Sequence, residues 1–118
     1  MRMKTIFVTG ANRGIGLEWT RQCLKRGHRL LATCRNPDNA ESLSKLQESH
    51  ADLLNIFTLD VEDEGSVTRL FSELDKKSEA IDLLFNNAGV IDWEDMLNVS
   101  SASMEKIYKV NVVGTLLV

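Results

Sequence analysis

The residues best suited to chemistry are Thr9-Gly10-Ala11-Asn12-Arg13-Gly14-Ile15-Gly16, in which three glycines stand at Gly-x-x-x-Gly-x-Gly spacing. They follow the apolar run Thr5-Ile6-Phe7-Val8 and lead into an amphipathic stretch of helical period. A strand, a glycine turn and a helix start in that order form an anion site. The unpaired N–H groups of the first helical turn and the helix dipole both face the turn. Gly10 lets the chain turn sharply off the strand, Gly14 lets the backbone approach a pyrophosphate closely, and Gly16 lets the helix pack tightly on the sheet. The spacing differs from Gly-x-Gly-x-x-Gly, and no Lys-Ser or Lys-Thr follows the second glycine as it would in a P-loop. On its own, such a turn also fits a plain strand-to-helix connection with no ligand.

The elements that must position this turn alternate between strand and helix. Thr5–Val8 reads as a first strand. Ile15, Trp19 and Cys23, with Gly16, Thr20 and Leu24, mark the i, i+4 rows of a first helix, which ends at Lys25-Arg26 with Gly27 as its C-cap. Leu30–Cys34 is a second strand. Pro37 then breaks the chain, and Ala40, Leu43 and Leu46 give the inner face of a short second helix. Leu53–Leu59 is a third strand, and Asp63 stands where it can cap a third helix with the face Val67, Leu70, Phe71 and Leu74. Ile81–Phe85 is a fourth strand. Ser100 or Ser101 can cap a fourth helix that carries Met104, Ile107, Tyr108 and Asn111. Nearly continuous apolar strands suit burial on both faces of a parallel sheet. The strand-helix repetition predicts a right-handed, doubly wound α/β sheet.

Length and composition narrow the function classes. With 118 residues, the chain is expected to form one domain or part of one. It is 43% hydrophobic and 26% charged, with a net charge of −3 and no block of basic residues, so no nucleic-acid footprint is visible. The apolar runs are too short to cross a bilayer, and Met1-Arg2-Met3-Lys4 leads straight into a strand, unlike a signal peptide. Cys23 and Cys34 are read as reduced thiols, which places the protein in the cytoplasm. His28 and His50 are isolated, are expected in solvated or loop positions, and suggest no metal site. The segment Val110–Val118 is apolar with no polar stop, as expected of the first part of a longer domain.

Thr9–Gly16, Asp60-Val61, Asn86-Asn87-Ala88-Gly89 and Asn111 occur in an order and spacing that resemble the short-chain dehydrogenases/reductases, over the whole chain. The stretch Ala32-Thr33-Cys34-Arg35-Asn36-Pro37 resembles the carbonyl-reductase-like branch that includes C-factor and sniffer-type proteins. The resemblance implies a Rossmann-type fold, here its N-terminal portion over 1–118, binding a nicotinamide dinucleotide. It implies that Gly10, Asn12, Arg13, Gly14, Ile15 and Gly16 form the diphosphate turn. Asp60 would accept a hydrogen bond from the adenine amine, and Val61 would offer its backbone to the same ring. A solvated turn acid or helix cap is the other reading of Asp60. Asn86 is weighted toward structure, and Asn87, Ala88 and Gly89 toward the cofactor. Asn111 aligns with the family asparagine that bends the fourth helix and holds a water in the proton relay.

The family's catalytic serine and Tyr-x-x-x-Lys pair are not matched. Tyr108 is followed four residues on by Val112, and Ser100, Ser101 and Ser103 precede the fourth helix rather than follow it. The resemblance therefore implies a cofactor half-site without acid/base machinery. The end of the second strand carries Cys34 and Arg35 where an NAD-preferring site places an acid. Arg35 can stack on adenine and pair with a 2′-phosphate, which Arg13 can also reach. Each charge-assisted bond is worth roughly 1.5–3 kcal/mol, so NADP(H) is expected over NAD(H). Cys34 is read as pocket floor rather than nucleophile.

Two readings follow. One is an NADP(H)-dependent oxidoreductase moving hydride between nicotinamide and a carbonyl or alcohol substrate. The other is a non-catalytic dinucleotide-binding or interaction protein. Val90–Val99, with Ile91-Asp92-Trp93-Glu94-Asp95 within it, would border the substrate. A homo-oligomer is left open for the full-length form, through later helices that are not present here.

Overall fold

Along β1 (Thr5–Val8), Ile6 and Val8 face one side and Phe7 the other, with exposures of 3%, 0% and 0%. Burial on both faces is what a central parallel strand requires, and β1 is central. In the computed structural model, which describes residues 2–91 and 97–118, β1 pairs in parallel with β2 (Arg29–Cys34) on one side. On its other side it pairs in parallel with β4 (Leu83–Phe85). The strand β3 (Leu54–Thr58) extends the sheet beyond β2, giving the order β3-β2-β1-β4. Ile6, Val8, Leu30 and Ala32 pack with Cys23 and Leu24 of α1 (Gly14–Lys25) and Leu43 of α2 (Glu41–Ser49). Phe7 and Leu31 pack with Val67, Leu70 and Leu74 of α3 (Glu64–Lys76) and with Val110. Helices thus cover both faces of a parallel sheet, which is the doubly wound α/β architecture expected.

Aromatic rings lock both layers. Phe7 and Phe71 lie with centroids 5.1 Å apart, and Trp19 and Phe85 with centroids 4.3 Å apart. At the end of the sheet where β2 begins, Arg29 meets Glu79 through two bonds of 3.0 and 2.6 Å. No helix among the described residues is long and apolar enough to cross a membrane.

The structure corrects several local expectations. Ile15 does not join the inner row of α1; it is 74% exposed, because the helix begins at the cleft edge, whereas Gly16, Thr20, Cys23 and Leu24 of the expected rows are buried. The strand β4 is shorter than expected, and Leu83 and Leu84 are 44% and 42% exposed. It lies at the sheet edge, with a partner on the β1 side alone among the described residues. His28 is buried rather than solvated, and its Nδ1 accepts the Lys4 N–H at 3.2 Å. Asp63 occupies the N-cap position of α3 but its side chain accepts no backbone N–H of the helix; it faces the Arg69 side chain of the same helix at 3.6 Å. The helix α4 (Ser101–Tyr108) widens at once into a π-helical segment, Lys109–Gly114, followed by α5 (Thr115–Leu117). The inner row runs Ser103, Ile107, Val110 and Gly114, with the last two buried, so Met104 and Tyr108 fall outside it and are each 60% exposed. Ser100 does cap α4, accepting the Ser103 N–H at 3.0 Å.

Two helices end on the same backbone device with different residues. After α1, Gly27 has φ +82, its N–H bonds Leu24 O at 2.9 Å, and the His28 N–H bonds Cys23 O at 3.1 Å. After α3, Ser78 holds the matching left-handed position at φ 54, its N–H bonds Asp75 O at 2.9 Å, and the Glu79 N–H bonds Leu74 O at 3.0 Å. A Cβ strains the left-handed conformation, and Ser78 is exposed, with no packing role to offset the strain. Ser78→Gly should therefore raise stability by about 0.5–1 kcal/mol, net of the larger unfolded-state entropy of glycine. Urea denaturation checks this; a lower midpoint would contradict it.

Candidate functional site

The site is built where the carboxyl ends of β1 and β4 meet. Thr9, 1% exposed, follows β1, and its Oγ1 accepts the N–H groups of Asn87 at 3.0 Å and Ala88 at 2.9 Å. Its own N–H donates to Phe85 O at 3.1 Å. The Asn87 side chain answers from the other side, donating through Nδ2 to Gly10 O at 3.0 Å. Gly10 turns the chain at φ +64, and a Cβ there would stand 3.0 Å from Ala88 Cα. A Cβ on Gly16 would stand 2.2 Å from Gly10 O and 2.5 Å from Asn87 Nδ2. Glycine at 16 is therefore what lets α1 sit directly on the turn. Gly14 has φ +57 and nothing within 4 Å of a Cβ, so it presents open backbone.

The helix α1 starts as an anion site needs. Its N-cap, Arg13, is extended and makes no side-chain cap, and its first turn carries no acid. By contrast, α2 and α3 carry Glu41 and Glu64 in their first turns. The dipole of α1 is left for something outside the helix. In front of it lies a cleft of about 460 Å³, lined by the turn, the end of β2 and the segment after β4. That is within the range of small-molecule and cofactor sites, and it lies at the carboxyl edge where open α/β sheets bind ligands.

Of the residues singled out from sequence, Gly10, Asn12, Arg13, Gly14, Ile15, Arg35, Val61, Asn87, Ala88 and Gly89 line this cleft. Among the described residues no acidic side chain lines it, while Arg13 and Arg35 stand exposed at it. Gly16, Asp60 and Asn111 are not in the lining. Gly16 acts from behind, as above. Asp60 Oδ1 accepts the Glu62 N–H at 3.0 Å, and the Asp60 N–H donates to Ser66 Oγ at 3.0 Å, so the carboxylate shapes its own turn. Asn111, in the π-helical segment, pairs with the backbone of Val90 at both ends of its amide: Oδ1 accepts the Val90 N–H and Nδ2 donates to Val90 O, each at 2.8 Å. Val90 in turn lines the cleft. The substrate-side stretch Asp92-Trp93-Glu94-Asp95 lies outside the described residues.

Cys34, 4% exposed, lies in the cleft floor. Burial pushes its thiol up, only partly offset by a hydrogen bond from the Asn36 backbone, so it stays protonated and a poor nucleophile at neutral pH. Sequence reasoning missed the roles of Thr9 and Thr33. Thr33 lines the cleft, its Oγ1 donates to Val8 O at 3.0 Å, and its carbonyl accepts the Ala11 N–H at 3.0 Å. The available signal was a threonine at the carboxyl end of each of two adjacent strands, a poor place for an unpaired hydroxyl. Asn36 and Asn39 also line the cleft, from the turn after β2.

Residues 4–118 match the family model for short chain dehydrogenases, and the chain belongs to the short-chain dehydrogenase/reductase family. A farnesol dehydrogenase of Aedes aegypti is 33% identical over 116 residues, covering 97% of this chain and 47% of the relative. An NADP-dependent 3-hydroxy acid dehydrogenase of Escherichia coli O6:H1 is 31% identical over 111 residues, covering 84% of this chain and 44% of the relative. A short-chain dehydrogenase/reductase of Burkholderia multivorans, solved with bound NADP, superposes with a TM-score of 0.89 at 28% identity, covering 98% of this chain and 51% of that one. The chain thus spans about half the length of these relatives.

Removing the Thr9 hydroxyl while keeping its shape should expose the dependence of the turn on it. Thr9→Val strands two backbone donors, and roughly 1–3 kcal/mol of stability should be lost. Chemical denaturation reads this directly, and a change below about 0.3 kcal/mol would show that the two bonds do not hold the site together.

Proposed function

We propose that the cleft holds NADP(H) and that this chain is the cofactor-binding part of a cytoplasmic oxidoreductase acting on a small carbonyl or alcohol substrate. The observation that carries the reading is the presence of Arg13 and Arg35 at a cleft whose described lining carries no acid, in front of a helix whose first turn has no acid of its own. The N–H groups that open α1 would receive the pyrophosphate, while Gly14 leaves room for its approach. Arg13 and Arg35 would take the 2′-phosphate, which an acid at the end of β2 would repel. Val61 would flank the adenine, Asp60 would hold the turn that presents Val61, and Asn87, Ala88 and Gly89 would border the nicotinamide ribose. When bound, the cofactor supplies or accepts the hydride; the chain's own residues bind and orient it. The NADP named for the bacterial relative and seen in the Burkholderia structure supports the same choice.

A second reading, a dinucleotide-binding protein without turnover, is favoured by one observation. Tyr108 is 60% exposed and is followed by Val112 at the lysine position of a Tyr-x-x-x-Lys pair. On either reading these 118 residues should bind cofactor without reducing carbonyls; on the first alone, carbonyl reduction should appear once a Ser and Tyr-x-x-x-Lys set is supplied.

Calorimetric titration separates the possibilities. Arg35→Ala should weaken NADPH by about tenfold or more, where ~1.4 kcal/mol is one decade, and leave NADH nearly unchanged. Equal losses for both cofactors would rule out 2′-phosphate recognition. Gly14→Val places a branched side chain at φ +57, facing the open cleft side, and should abolish binding of both. Retained affinity in that folded variant would remove the phosphate assignment.

A further inference from the structure

Gly114 is buried in the π-helical segment, at the point where that segment crosses the connection after β3. A Cβ on it would lie 2.8 Å from Val61 Cγ2, 2.9 Å from Val61 Cβ and 2.9 Å from Val61 O. Carbon atoms do not pack that closely, and one of the three contacts is backbone, so no rotamer change relieves them. Val61 is 8% exposed and forms part of the cleft wall. The rest of its connection is tied down. Asp60 bonds Glu62 and Ser66, and Lys106 Nζ meets Glu62 Oε2 at 2.7 Å. With the helix behind it and both flanks anchored, the open space next to Val61 is the cleft.

We propose that Gly114 is a positioning residue for the cofactor cleft: the bare backbone at 114 sets how far Val61 stands into the space that the ligand occupies. The helix that carries Gly114 also holds Val90 through Asn111, so one element gauges two cleft-lining residues. The proposal rests on the dinucleotide reading given above.

A double-substitution cycle on the full chain tests it, with NADPH as the titrant and urea denaturation alongside. Gly114→Ala should weaken NADPH by about tenfold. In a Val61→Gly background both side-chain contacts are gone and the glycine backbone is free to withdraw the remaining carbonyl contact, so the same substitution should change affinity less than about twofold. A merely structural role would instead weaken binding by the same factor in both backgrounds, and that result would overturn the proposal. Should Gly114→Ala fail to fold, the double variant should fold and bind as Val61→Gly does; a double variant that is also unfolded overturns the proposal. Failure of the unsubstituted chain to bind NADPH would strike the dinucleotide reading itself. Binding by the unsubstituted chain with equal binding by Gly114→Ala would strike the positioning role alone.

Discussion

The structure depends on the bond pattern around the Thr9 hydroxyl. One buried oxygen accepts two successive N–H groups from the end of β4, and the Asn87 side chain closes the loop by donating to Gly10 O. Two crossover segments and a turn are thereby fixed to within hydrogen-bond tolerance of each other. The seating of α1 on Gly10 O then has a fixed base, and the open backbone of Gly14 faces a defined space. A loop of glycines without this tie would be free to move, and an anion site on it would lose affinity to the cost of ordering it.

The second constraint comes from the other face of the sheet. The π-helical segment departs from the α-helical period just where it must serve two neighbours. Asn111 turns its amide to Val90, and Gly114 lies against Val61. An uninterrupted α-helix would rotate these two residues relative to each other. The wall of the cleft opposite α1 is therefore a consequence of helix geometry as much as of loop sequence. Among the described residues, Leu83 and Leu84 of β4 and Met104, Tyr108, Val112 and Leu116 of this helix are exposed apolar side chains.

Much of this was legible in the sequence because the signals were local. The β1–glycine turn–α1 unit was readable from period and glycine spacing alone, since Gly10, Gly14 and Gly27 all take the positive φ that glycine permits. The strands and helices followed from the switch between near-continuous and i, i+4 apolar patterns. The rest was hidden because it is relational. Nothing near His28 in sequence announces that the Lys4 N–H will reach its ring. The apolar pattern of Met104, Ile107 and Tyr108 does not say which side of the helix meets the sheet, and the helix turns inward along Ile107, Val110 and Gly114, where it meets the core and Val61. Ten of the cofactor residues read from sequence do line one cleft, whereas Gly16, Asp60 and Asn111 act from behind it through Gly10, Glu62 and Val90.

On the dinucleotide reading, the ligand lies across the turn with its pyrophosphate on the N-terminus of α1 and its 2′-phosphate at Arg35. Backbone amide NMR of the chain during titration with NADP⁺ tests it most directly. The largest, saturable shifts should fall on Asn12 to Gly16, Arg35 and Asn87 to Val90, with the Arg35 shift much reduced when NAD⁺ is used. Shifts centred elsewhere, such as on the exposed faces of α1 or α3, or no saturable shifts at all, would contradict it.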